Sequence, residues 1–104
     1  MDINKIKSEF MSFEQHINEQ LKDPEYEKMY LDATIKEFIE DGNYEHFFKA
    51  LERVIKSRTT ISDFSKKTGI TRKALYDMFK GERIPRFDTV GRLLKELGFT
   101  LKIA

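Results

Sequence analysis

The sequence predicts an all-α bundle with a helix-turn-helix in its C-terminal half, a helical extension before it and a short β-strand at the end. Three observations point there. Apolar residues recur at intervals of three and four through most of the 104 residues. Helix-start residues and glycines punctuate that pattern at regular distances. The stretch "TISDFSKKTGITRKALYDMFKGERIP", residues 60–85, reads as two short helices joined through a single glycine. A chain of this length fits one compact domain with an added arm, here 1–42 as an acidic helical extension and 43–104 as the helix-turn-helix domain.

Taken in order, Ile3, Ile6, Phe10, Phe13 and Ile17 are spaced 3-4-3-4, a stripe that continues to Leu21. It spans under three heptads, too few for a coiled coil. Asp23-Pro24 is an N-cap followed by proline at the first helical position. The helix it opens carries Leu31, Ile35, Phe38 and Ile39 on one face and stops at Gly42. Asn43 caps a third helix with Phe47, Leu51, Val54 and Ile55 on its apolar face. Thr60-x-x-Asp63 has the form of a capping box and starts a helix over 61–68, which Gly69 ends. Thr71 caps the next helix, with Ile70 and Leu75 placed as a hydrophobic staple; it runs to Lys80 and stops at Gly81. Pro85 marks a loop. A last helix over 88–97 buries Val90, Leu93, Leu94 and Leu97, and Gly98 closes it. The tail "FTLKIA" alternates apolar and polar residues, a strand signal.

The chain has no cysteine, which excludes disulfides and thiolate metal sites and suits a reducing cytoplasm. No apolar run reaches the roughly 20 residues of a membrane span, so no membrane role is expected. The overall charge of +1 hides a polarity. Residues 1–48 hold five lysines against twelve carboxylates, a net of −7, and residues 49–104 hold fourteen basic against six acidic residues, a net of +8. A basic half suits a polyanion and an acidic half a basic protein; charged faces also simply keep helices soluble.

Within the helix-turn-helix the inward positions are apolar or small: Ile61, Phe64, Ser65, Ile70, Ala74, Leu75, Met78 and Phe79. Arg72, Lys73, Tyr76, Asp77 and Lys80 remain outside on the second helix. A recognition helix needs this division, because one face enters the major groove while the other holds it to the scaffold. Arg72 and Lys73 can donate to guanine O6 and N7, Thr71 can reach a phosphate or base edge, and Tyr76 can lie along a sugar or thymine methyl. Lys80 belongs to the same groove-facing set. Thr60, Ser62, Lys66, Lys67, Arg83 and Arg86 flank it as candidate phosphate contacts, which set register rather than sequence preference. Asp77 on that face is unfavourable for DNA.

The N-terminal stripe of Ile6, Phe10, Phe13 and Ile17, continuing to Leu21, is a ready helix-in-groove ligand, with Phe10, Phe13, Ile17 and Leu21 as candidate partner contacts. Glu9, Glu14 and Glu19 beside it can steer a basic partner. The same stripe also reads as packing against the domain's own helices. The tail strand can pair with its copy across a two-fold axis, giving the homodimer that a palindromic operator needs, or fold back as a cap.

"ISDFSKKTGITRKALYDMFKG", followed by "IPRFDTVGRLLKELG", resembles the Xre-type, lambda-repressor-like helix-turn-helix. "YLDATIKEFIEDGNYEHFFKALERVIKSR", continuing into that motif and "GFTLKI", resembles the HigA-like antitoxins, the antidote proteins of addiction modules. "SFEQHINEQLKDPEYEKMYL" resembles the region before their helix-turn-helix, so the likeness covers residues 12–103. The resemblance implies a dual activity. Such proteins bind their own operator as dimers and repress transcription, and they neutralise a small, basic RelE/HigB-like ribonuclease toxin. By position, Thr71, Arg72, Lys73 and Tyr76 would carry the base or backbone contacts. Ser65 departs from the pattern, since many relatives have alanine under the turn. Toxin contacts follow no fixed motif in that family, and none is carried over.

No cofactor or metal site is expected. His16 and His46 lack a second ligand at i+4, the five glycines form no phosphate-cradling loop, and no nucleophile-base arrangement emerges. The residues alone are compatible with an antitoxin, with a solitary Xre-type regulator lacking a toxin, and with an interaction module whose helix-turn-helix is only scaffold.

Overall fold

The computed structural model describes residues 2–101 and contains six helices: α1 (Ile3–Gln20), α2 (Pro24–Asp41), α3 (Tyr44–Arg58), α4 (Ile61–Thr68), α5 (Arg72–Phe79) and α6 (Phe87–Leu97). The start signals act as their chemistry requires. The Asp23 carboxylate accepts from Glu25 N at 3.0 Å ahead of Pro24. Asn43, Thr60 and Thr71 accept from the backbone N–H groups of His46, Asp63 and Ala74. Asp2 caps α1 in the same way. At α6 the first helical residue is Phe87, one earlier than the sequence suggests, and Arg86 precedes it without a side-chain cap.

α3 is the central element. It buries Phe47, Phe48, Ala50, Leu51, Val54 and Ile55 and packs against α2, α4 and α5. α4 and α5 have eight residues each. Isolated helices below about 12–15 residues are marginal in water, so packing of Ile61, Phe64, Leu75, Met78 and Phe79 on α3 must hold them. At about 1.5–3 kcal/mol for each large apolar side chain, that burial outweighs the differences in helix propensity. One core cluster runs from Ile17 and Leu21 through Leu31 to Leu93, Leu94 and Leu97.

The apolar face of α2 departs from expectation. Leu31 is buried and Ile35 half-buried; Phe38 meets Phe47 of α3 with ring centroids 6.1 Å apart yet stays partly exposed, and Ile39 points past that contact and is exposed. Val90 on α6 is likewise only half-buried.

The terminal strand expected over 99–104 is not formed by Phe99–Leu101; positions 102–104 lie outside the described residues. The reason is local. Gly98 turns into the left-handed region and closes α6, Phe99 N donates back to Leu94 O at 2.9 Å, and the Phe99 ring lies 5.6 Å from the Arg58 guanidinium. The segment serves as a helix closure, and no described strand offers it a ladder partner.

Candidate nucleic-acid interface

The turn between α4 and α5 is built by its own side chains. Gly69 sits at φ 74°, a conformation glycine adopts without a Cβ penalty. The buried Thr68 hydroxyl donates to Phe64 O at 2.9 Å and accepts from Ile70 N at 3.3 Å. The Ser65 hydroxyl donates to Ile70 O at 2.5 Å. Serine here ties both sides of the turn together, a bond that alanine could not make. Ile70 and Leu75 are both buried, as a staple requires.

α5 presents two faces. Leu75, Met78 and Phe79 are buried, whereas Thr71, Arg72, Lys73, Tyr76 and Lys80 are exposed together. The Thr71 hydroxyl accepts from Ala74 N at 3.1 Å, which leaves its own proton available to an outside acceptor. Asp77, expected on the outer face, is largely covered and lies 3.5 Å from Lys73. An exposed i,i+4 pair is worth about 0.3–0.5 kcal/mol, too little to hold Lys73 back from a phosphate.

The flanking set is less uniform. Lys66 and Lys67 are exposed at the end of α4. Thr60 is exposed with its oxygen engaged as a cap, and Ser62 is half-buried. Arg86 is exposed but its guanidinium meets both Asp88 carboxylate oxygens at 3.2 Å, so it is partly neutralised. Arg72, Lys66, Lys67, Lys80 and Arg83 make no ion pair among the described residues. All five are exposed and carry donors of the type that phosphates and base edges accept.

The N-terminal stripe is split. Ile3, Ile6, Phe10 and Phe13 are 48–66 % exposed, while Ile17 and Leu21 are buried in the core. Ile17 and Leu21, expected among the partner contacts, are therefore packing residues, because the last turns of the stripe enter the core cluster and the earlier ones do not. Glu14 is also engaged: Arg53 donates to its carboxylate at 2.5 Å and to Tyr30 Oη at 2.8 Å. Burial alone would lower the Arg53 guanidinium, but Tyr30 and Glu14 more than offset it and hold it above its ordinary value. Arg53 Nε is buried without a partner. Glu9 and Glu19 remain exposed.

Two features escape a sequence reading. Glu27 is buried and receives Arg58 Nε at 3.0 Å and Nη2, while Arg58 Nη1 donates to Leu97 O at 2.7 Å. This clamp joins α2, α3 and the end of α6. The second is an apolar groove at Phe38, Ile39, Ile84 and Phe87. Its signals in the sequence were Phe38 and Ile39 on the apolar face of the second helix and the apolar pair Ile84 and Phe87 around Pro85. His16 lies 3.4 Å from Gln20 Nε2 and His46 2.7 Å from Glu37; no group of three metal-ligand side chains forms among the described residues. No described helix is long and apolar enough to cross a membrane.

A protein family described as "probable addiction module antidote protein" matches residues 9–104. No curated protein and no solved structure matches the chain.

Proposed function

The chain belongs to the probable addiction module antidote protein family, and on that footing we propose that it is the DNA-binding antitoxin of a toxin–antitoxin module. In this reading it is a HigA-like protein with an Xre-type helix-turn-helix. It acts in the cytoplasm, without a cofactor and without catalysis, and its labour divides near Gly42. The family supports a toxin partner in general terms. That the partner is a small, basic RelE/HigB-like ribonuclease is what the resemblance to HigA-like antitoxins implies; the acidic N-terminal half and the exposed stripe of Ile3 to Phe13 beside Glu9 suit a basic partner.

The observation that carries the DNA reading is the division of α5. One face buries Leu75, Met78 and Phe79, and the other exposes Thr71, Arg72, Lys73, Tyr76 and Lys80, of whose cations Lys73 alone meets a carboxylate among the described residues. A scaffold helix has no need of that outer face. As a homodimer the protein would set two such helices against the halves of a palindromic operator and repress its own operon.

Binding to DNA from the chain's own promoter, followed against salt, tests this. Neutralising four to six phosphates gives a slope of log K against log[salt] of roughly −4 to −5. Arg72→Ala is expected to weaken the preferred site by about 1–3 kcal/mol more than random DNA. A flat salt response would leave the helix-turn-helix as scaffold alone, and equal losses on both DNAs would reduce Arg72 to a phosphate contact.

A further inference from the structure

Ile70 joins α4 to the exposed face of α5, and side chains rather than backbone hold it there. It is 7 % exposed, so its N–H and C=O need partners inside the protein. Neither group has a backbone partner among the described residues. The bond that closes α4 runs from Gly69 N to Ser65 O at 2.9 Å, and it leaves Ile70 N over. Two hydroxyls of α4 take both groups. Thr68 Oγ1 accepts from Ile70 N at 3.3 Å and gives its own proton to Phe64 O. Ser65 Oγ donates to Ile70 O at 2.5 Å. A hydroxyl has one proton, so neither residue could exchange roles with the other without losing a bond. The next residues in the chain are Thr71 and Arg72, the first that α5 exposes.

We propose that Ser65 and Thr68 are positioning residues for sequence readout, setting the start of α5 and, through it, the places of Thr71 and Arg72. The inference rests on the DNA reading above. Packing of Leu75, Met78 and Phe79 holds the body of α5, but apolar contact is non-directional and leaves the tilt soft. At 1.5 Å per residue, a tilt of about 5° around the Met78–Phe79 end moves Arg72 by about 1 Å. A contact set that reads base edges tolerates about 0.5 Å. A lysine on its four-carbon stem absorbs the same shift and still reaches a phosphate. Loss of the two ties should therefore lower preference for the site and spare the phosphate contacts that all DNA offers.

Titration of the full-length chain with its own promoter DNA and with random DNA, at a temperature where circular dichroism shows every variant folded, tests this. Thr68→Val keeps the side-chain shape and removes the hydroxyl; Ser65→Ala removes the other tie. Each is expected to cut the preference for promoter over random DNA about fivefold or more, the value of one base contact, with the salt slope on random DNA unchanged. Thr68→Ser keeps the hydroxyl and drops a buried methyl, so it should lower the thermal midpoint yet retain the native preference. Should Thr68→Val fail to fold, the half-buried Ser65→Ala decides alone. A preference untouched by both variants, equal losses on the two DNAs, or a Thr68→Ser protein as impaired as Thr68→Val would each overturn the inference and leave the DNA reading standing. A native chain with no preference and a flat salt response would remove that reading, and the inference with it.

Discussion

Replacing Arg58 by leucine strands two acceptors at once. The Glu27 side chain is 5 % exposed and loses both hydrogen bonds to the guanidinium, and Leu97 O at the end of α6 loses its donor. Breaking a buried pair from one side costs about 3–5 kcal/mol. The Arg58 side chain is 40 % exposed, so water reaches the vacated place and the lower end applies, about 3 kcal/mol. Glu27→Leu is gentler, about 1 kcal/mol, because a half-exposed guanidinium can turn to water. Removing both leaves no orphaned charge and is expected to cost about 1–2 kcal/mol. The pair should therefore show a coupling of about 2 kcal/mol or more in a double-mutant cycle. Urea unfolding followed by far-UV circular dichroism reads it: at a slope of about 1.5 kcal/mol per molar, Arg58→Leu moves the midpoint down by about 2 M. A coupling under about 0.5 kcal/mol, the value of a surface pair, would refute the claim that this clamp holds α2 and α6 to α3.

Burial alone would raise the Glu52 carboxyl, but Lys49 at 2.7 Å and Lys56 at 3.4 Å more than offset it, and it sits below its ordinary value. A depressed folded value contributes stability above the ordinary carboxylate range near pH 4.3 and loses it as pH falls through the folded value. Glu52→Gln should lower stability at pH 7 and flatten the acid limb of stability against pH; an unaltered limb would show that the lysines do not hold it. Gly69→Ala meets no atom within 4 Å yet forces a side chain into φ 74°. A loss of about 1 kcal/mol is expected, about 4–8 °C in thermal midpoint, and an unchanged midpoint would mean that the turn relaxes. Phe10→Glu, at an exposed position of α1, should leave the thermal midpoint in place while abolishing capture of the co-expressed toxin. Intact capture would take the partner surface elsewhere.

The parts legible in the sequence are those decided within a few residues. Asp23-Pro24, Asn43, Thr60 and Thr71 act as caps because their oxygens reach N–H groups two or three positions on. The outer face of α5 was legible for the same reason, since 3.6 residues per turn fix which side chains stand together. What the periodicity could not say is how far a neighbouring helix reaches. Ile3 to Leu21 and Leu31 to Ile39 each form a continuous stripe, yet only one end of each is covered. Glu27 and Glu52 read as solvated carboxylates until partners fold against them, and for Glu27 that partner is 31 residues away. The tail alternates like a strand, but alternation names two faces and supplies no neighbouring ladder.

The attachment of α1 sets an energy scale for its motion. Ile17, Leu21 and the Glu14–Arg53 contact fix its last two turns. Backbone amides in the first three turns have only helix hydrogen bonds behind them, so their hydrogen exchange proceeds through local fraying, while those of α3 wait for global unfolding. A partner docking on Ile3 to Phe13 would therefore suppress that fraying, at a cost drawn from its own binding energy. Affinity at this site is accordingly tunable by helix propensity alone, through positions that never touch the partner.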